Sequence, residues 1–532
     1  MRRSRFVASL LFLLLGVQLA FGQSQTLSRR IGRILAAPGL SRGIWGIDAV
    51  SLTTGRTLYS LNADKLFTPA SNAKLFTTAA GIALIGEGYR FLTTVETTAA
   101  LDPSGRLAGD LVLVGRGDPN LSGRALPYHL RTQRPEAATH VLEDLADQLV
   151  EKGLKSVDGG VVADDSYYAF ERYGEGWSQD DLTWEWGAPV SALSINDNVI
   201  FLSIKPGDGA GEHAFVSITP YAEYYRLENR ILTTAAGTGR REIHIHREPG
   251  SDLLTLWGSI PADDSGANET LAVEDPAEFA AKLFCMLLEK RGVVVHGRSL
   301  AHHGEPAAAA ASGSTVMTPA GGGEAPAVPD NEAPRVLAGY ESQPLGEDLT
   351  VINKVSQNLH AELLLRLLGR EKGASGSIAG GLEVVRGFLA RAGLQPEEFV
   401  LYDGSGLSRE DLVTPHAVVK LLAYASRQPW GAFYESTLPV GGVDGTLAER
   451  FQSGAGRERV RAKTGSLGHI HALSGYATTL KGDHIAFSIL ANNQNLPGKR
   501  AVDAIDAIVA AFLADQEGRT HGQAARTPAR YR

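Results

Sequence analysis

The spacing of apolar positions changes along the chain, and each change marks an element or a boundary. Leu27, Ile31, Ile34 and Leu35 recur at helical intervals in SQTLSRRIGRILAA. The runs GIWGIDAVSL and RTLYSLNA read as strands, joined at Thr53-Thr54-Gly55 by a hairpin turn. A helical pattern resumes at about Ser71 and runs to about Glu87. From about residue 90 to 304 the pattern becomes short alternating strands and Gly-rich turns, with few long helices. Within that region LVEKGLKSVDGGVV (149–162) and LLEKRGVVVHGRSL (287–300) each read as a helix end turning into a strand, and suggest matching halves of one split domain.

Residues 305–335 are dominated by Ala, Pro and Gly, a composition that cannot bury a core and reads as a linker. Order returns at about 336. DLTVINKVSQNLHAELLLRLLGR, GGLEVVRGFLARAG and TPHAVVKLLAYASR are amphipathic helices. Three strands follow, RVRAKTGSL, HALSGYATTL and HIAFSILANN, and then a last helix from about 498 to 515. Two strands from the beginning and three from the end predict one antiparallel sheet. The first and last helices cover one face, and the helices on either side of the insert cover the other. The expected division is therefore 23–89 with 336–515 as one discontinuous domain, 90–304 as a mainly β insertion, 305–335 as a linker and 516–532 as a disordered tail.

Composition changes this picture at the N-terminus. Arg2, Arg3 and Arg5 precede FVASLLFLLLGVQLAF, and Ala20-Phe21-Gly22 places small residues where a signal peptidase reads. Residues 1–22 are predicted to be a secretory signal, and a bacterial periplasm is the expected address. Removing those arginines leaves 48 basic against 59 acidic residues, a net charge of −11 in place of −8, which argues against a nucleic-acid partner. The single cysteine, Cys285, reads as a core residue and excludes an internal disulfide. His244 and His246 share one strand face, yet no third ligand follows from spacing, so neither a metal nor a cofactor is expected.

The candidate chemistry begins at TPASNAKLFTTAA. Lysine is strongly hydrated, and an ammonium inside an apolar helix start requires a reason. Lys74 lies one helical turn from Ser71, so its amine reaches the hydroxyl. Burial and nearby positive charge favour the neutral amine, which then serves as the base that a serine nucleophile needs. Two further motifs follow in order: Ser356-Gln357-Asn358 beside a helix, and Lys463-Thr464-Gly465-Ser466 in a strand.

The order S-x-x-K, S-x-N, K-T-G resembles that of serine β-lactamases and penicillin-binding proteins. The long insert narrows the resemblance to the low-molecular-mass class C penicillin-binding proteins, the D-alanyl-D-alanine carboxypeptidase/endopeptidase family. GDPNLSG (117–123), VVADDSYY (161–168), APVSALSINDN (188–198), YDGSGLSR (402–409) and LPVGGVDGTLAERF (439–451) add to it. The resemblance implies a β-lactamase-like transpeptidase domain of the α/β (α+β) class, with a five-stranded antiparallel sheet between helices. It implies Ser71 as nucleophile, Lys74 as base and Ser356 as proton relay. Asn358 would hold Lys74 and the substrate amide, Lys463 and Thr464 the terminal carboxylate, and the N–H groups of Ser71 and Ser466 the oxyanion. Gly465 would let the strand approach the substrate, and an aspartate of the insert, Asp164 with Asp165 as rival, would approach the active-site lysine. Peptidoglycan stem peptides are then the substrate and β-lactams covalent inhibitors. A serine β-lactamase is the first alternative, with Glu397 or Glu398 placing the deacylating water. A non-catalytic peptidoglycan-binding protein is the second.

Overall fold

The computed structural model describes residues 27–128, 137–305 and 333–514. The expected leader 1–22, the tail 516–532 and residues 306–332 of the expected linker lie outside the described residues. The central sheet has five strands: β1 (Ile44–Ser51), β2 (Thr57–Leu61), β3 (Val460–Leu467), β4 (Ile470–Thr478) and β5 (His484–Asn492). Their order is β2-β1-β5-β4-β3, and every pair is antiparallel.

Both faces of this sheet are covered, which explains why β5 reads as a nearly continuous apolar run. Alternate residues of β5 serve two cores. Ile485, Phe487 and Ile489 pack with Leu27 and Ile31 of the helical stretch 27–35 and with Ile505, Ile508 and Phe512. The latter three belong to the last helix, Gly498–Leu513. Ala486 and Leu490 point the other way. That second core gathers α1 (Lys74–Leu84), α2 (Leu345–Lys354), α3 (Asn358–Lys372), α4 (Ile378–Arg391) and α5 (Pro415–Ala425). The two-sided arrangement expected from the apolar pattern is the one observed.

The inserted region has its own core and a second five-stranded sheet, ordered Ser299–His302, Val161–Asp164, Leu111–Val114, Leu92–Thr97, Arg335–Glu341. The two look-alike segments lie side by side within it. Each runs from a helix (His140–Glu151 or Pro276–Lys290) into two short strands. The corresponding strands pair in parallel, Val294 with Ser156 and Ser299 with Val161. Arg335–Glu341 was not legible as a strand. It pairs antiparallel with Leu92–Thr97, so the chain is still part of the inserted sheet where the sequence reading resumes the first domain at 336. Most of its side chains are exposed or half-buried, which removes the alternation by which a strand is recognised.

Phe487 is fully buried on the outer face of the sheet, 6.2 Å from the Phe512 ring between centroids. Phe487→Ala is expected to destabilise the central domain by about 3–5 kcal/mol. Chemical denaturation followed by tryptophan fluorescence checks this, and a loss below about 1 kcal/mol would show that the face repacks.

Candidate active site

Pro69 precedes a single 3-10 turn, Ala70–Ala73, and α1 starts only at Lys74. Ser71 is therefore in a tight turn ahead of the helix rather than in its first turn. Ala70 adopts a left-handed conformation, φ 48°. The Lys74 side chain has no exposed surface, and its Nζ has three acceptors: Ser71 Oγ at 2.8 Å, Asn358 Oδ1 at 2.6 Å and the Ser405 carbonyl at 2.7 Å. Burial disfavours the ammonium and pulls its pKa down to about 7, against the opposing pull of Asp403, Glu362 and Asp411.

The Ser405 carbonyl is held by a buried acidic scaffold. Asp403 Oδ1 accepts from the N–H groups of Ser405 (3.1 Å) and Gly406 (2.6 Å), and its Oδ2 from Ser408 N–H (2.7 Å) and Trp177 Nε1 (2.9 Å). Glu362 Oε1 accepts from the N–H groups of Gly404 and Ser405, both at 2.9 Å, while Arg366 donates to its other oxygen at 3.1 Å. Gly406 has φ +78°, and a Cβ there would lie 2.0 Å from the Ala70 carbonyl oxygen. Only glycine fits where this turn backs the Ser71 turn.

The second motif connects α2 to α3. Ser356 has φ 64°, a left-handed conformation disfavoured for any side chain. The next residue, Gln357, caps α3, its side chain accepting from Leu359 N–H at 2.9 Å. Asn358 completes a bridge to the insert, its Nδ2 donating to the Trp186 carbonyl at 2.8 Å.

The third motif is on β3, at the end of the sheet. Lys463 Nζ donates to Ser356 Oγ at 2.7 Å and to the Thr464 carbonyl at 3.0 Å. It too is fully buried, and burial together with the Lys74 charge pulls its pKa well down. A carboxylate placed beside it would supply the counter-charge that favours the ammonium. Thr464 Oγ1 donates to Thr446 at 2.8 Å, and a Cβ on Gly465 would lie 2.7 Å from the Pro69 carbonyl oxygen. Ser466 lines the same cleft as Ser71, a space of ≈ 650 Å³.

Asp164 is not part of this cluster. Parallel pairing sets it opposite His302, and its carboxylate accepts from Ser166 N–H at 2.8 Å and lies 3.3 Å from His302 Nδ1. Its rival Asp165 accepts from Ser191 Oγ at 2.7 Å and faces His303 at 3.0 Å. The insert's acids at the cleft are Asp181, Glu185 and Asp197, accompanied by Trp186 and Arg124. Asp181 Oδ1 accepts from Trp186 Nε1 at 2.9 Å, and Arg409 approaches its other oxygen at 3.8 Å. The loop SQDDLTWEWG that carries Asp181 and Glu185 has no period to betray its position. Asp197 lies within APVSALSINDN, where its spacing does not set it apart from its neighbours. Glu397 and Glu398, the deacylating acids of the β-lactamase alternative, do not line the cleft. Glu398 accepts instead from Gln395 N–H at 2.7 Å and Lys420 Nζ at 2.8 Å.

The D-Ala-D-Ala carboxypeptidase 3 (S13) family model matches residues 27–314 and 307–512. A D-alanyl-D-alanine carboxypeptidase of Actinomadura sp. is 34% identical over 498 residues, covering 91% of this chain and 85% of that protein. The D-alanyl-D-alanine carboxypeptidase DacB of Haemophilus influenzae is 24% identical over 451 residues, 83% of this chain and 84% of its own. Among solved structures, penicillin binding protein 4 of H. influenzae superposes with a TM-score of 0.74 at 23% identity. That match covers 91% of this chain and 98% of the other, and shows the same fold. From the match along nearly all of its described length, this chain belongs to the D-Ala-D-Ala carboxypeptidase 3 (S13) family.

Proposed function

We propose that the protein is a serine-type D-Ala-D-Ala carboxypeptidase, with DD-endopeptidase capacity at the same site. It acts on peptidoglycan stem peptides through an acyl-enzyme on Ser71. The observation that carries this reading is the convergence of three distant segments: Lys74 against Ser71 and Asn358, with Lys463 against Ser356. The similar Actinomadura protein is named for this activity, and penicillin binding protein 4 of H. influenzae has been solved complexed with a β-lactam.

The steps follow from the charges. Lys463 and Thr464 receive the terminal carboxylate of the peptide, the first by charge and the second through its hydroxyl. Neutral Lys74 takes the Ser71 proton as Oγ attacks the carbonyl of the penultimate D-alanine. The N–H groups of Ser71 and Ser466 hold the resulting oxyanion, each donor contributing about 3–4 kcal/mol in comparable sites. Ser356, in contact with Lys463, relays the proton that Lys74 has taken to the departing amine as the C–N bond breaks, so that Lys74 is neutral and Ser356 a hydroxyl again. Water then attacks the ester carbonyl, Lys74 takes its proton and returns it to Ser71 Oγ as the ester C–O bond breaks, and the shortened peptide leaves.

The address is part of the proposal. The leader at 1–22 sends the chain to the periplasm, where peptidoglycan is found, and among the described residues no helix is long and apolar enough to cross a membrane. The peptidase domain comprises the chain up to 89 and resumes after Glu341, with the insertion between.

Incubation with benzylpenicillin is expected to add one penicilloyl group, located by peptide mass spectrometry on Ser71. Ser71→Ala is expected to lose both the adduct and release of D-alanine from a D-Ala-D-Ala peptide. An adduct on another oxygen, or undiminished release, would refute the assignment. Because the base must be neutral, the acylation rate is expected to rise with pH through a midpoint near 7 and level off above it. A rate flat from pH 5 to about 9 would remove Lys74 from that role.

A further inference from the structure

Behind the S-x-N motif is a buried polar cluster that the mechanism above does not use. His360, on α3, has no exposed surface. Its Nδ1 lies 2.6 Å from Asp348 Oδ1 on α2, and its Nε2 3.3 Å from Asp197 Oδ1 of the inserted region. Asp197 is itself buried, in a run of three left-handed residues, Asn196 to Asn198 (φ 54°, 56° and 55°). Its second oxygen accepts from Gln357 Nε2 at 2.9 Å and from the Arg124 guanidinium. Gln357, the N-cap of α3, and His360, within its first turn, each meet one oxygen of the same carboxylate.

The position of this cluster gives it a consequence. Gln357 separates Ser356 from Asn358, so fixing its side chain at both ends fixes the backbone between the two functional residues. A left-handed serine persists only where its surroundings impose that conformation. Ser356 holds that conformation while its hydroxyl accepts from Lys463 Nζ, and Gln357 is the next residue along the backbone.

We propose that His360 is a positioning residue for the reaction: its ring clamps Asp197 of the insert to Asp348 of α2, and through Asp197 it locks Gln357 and the Ser356 hydroxyl in register with Lys463. Burial opposes the protonated ring, but the two flanking carboxylates outweigh it and hold the His360 pKa above its ordinary value. A doubly protonated ring donates to both sides, as two carboxylate partners require. Asp118 is nearby and fully buried. Burial first, then the Asp348 charge, pushes its carboxyl up to about 7, against the opposing pull of His360. The insert thus does more than overhang the cleft: it supplies the carboxylate that sets the proton-relay serine.

This inference rests on the acyl-enzyme reading, and one set of measurements separates their failures. A fluorescent penicillin resolves pre-covalent binding from the acylation rate constant, and active-site titration counts the folded fraction. Absence of covalent labelling in the parent protein would sink the acyl-enzyme reading itself. With the parent labelled, His360→Gln is expected to slow acylation of the titrated sites about tenfold or more, with binding changed little. The glutamine oxygen faces Asp348 in that variant, so adding Asp348→Asn restores a donor on that side and is expected to recover most of the rate. A simple loss of packing would not be repaired by the second change. If His360→Gln does not fold, Gln357→Ala breaks the same link from the cleft side and is expected to lower the acylation rate similarly. Acylation within about twofold of the parent in whichever variant folds, or a double variant no faster than His360→Gln, would overturn the proposal.

Discussion

The burial of one lysine organises this molecule. An isolated ammonium taken out of water is costly, and it stays in place only when every donor is matched and the surrounding charge is arranged for it. Lys74 meets that condition with one acceptor from its own turn, one from the start of α3 and one from the 402–408 turn. Each acceptor is anchored in turn. Asn358 is tied to the insert through the Trp186 carbonyl, and the Ser405 turn is held by Glu362 and Asp403. Burial outweighs the pull of Asp403, Glu362 and Asp411 and brings the amine's pKa down to about 7.

The inserted region joins this network rather than lying outside it. Trp177 donates to Asp403, Trp186 accepts from Asn358, and Asp197 accepts from Gln357. Three contacts from one insertion thus reach the turn behind Lys74 and the two residues that follow Ser356. Asp181 and Glu185 of the same insertion line the cleft together with Ser71, beside Arg124 and Arg409.

Much of the central sheet was legible because its strands are strongly patterned. β4 and β5 are apolar on both faces, and the helices around them carry clear stripes. The three motifs were legible because their chemistry constrains residue type at short spacing. Other features left no such trace. Arg335–Glu341 is too exposed to alternate, and the acids at the cleft stand in an irregular loop where composition says nothing of position. The Asp164 assignment took a plausible residue from a matching segment, but strand register directed its carboxylate to His302. His360 reads in sequence as an ordinary polar residue on a helix. Only the fold shows that two carboxylates from distant segments close over it.

The sheet's strand order also bears on how the chain reaches this state. β1 is made early in synthesis, yet its inner neighbour is β5, with Ile44 opposite Asn492. Until almost the whole polypeptide has emerged, that strand has only β2 beside it, and a lone hairpin has little stability in water. Closing so large a loop makes for slow, late folding of the catalytic half, whereas the insert can settle earlier around its own core. In a polypeptide of this topology the central sheet is the last part to be completed, after the insert has gathered a core of its own.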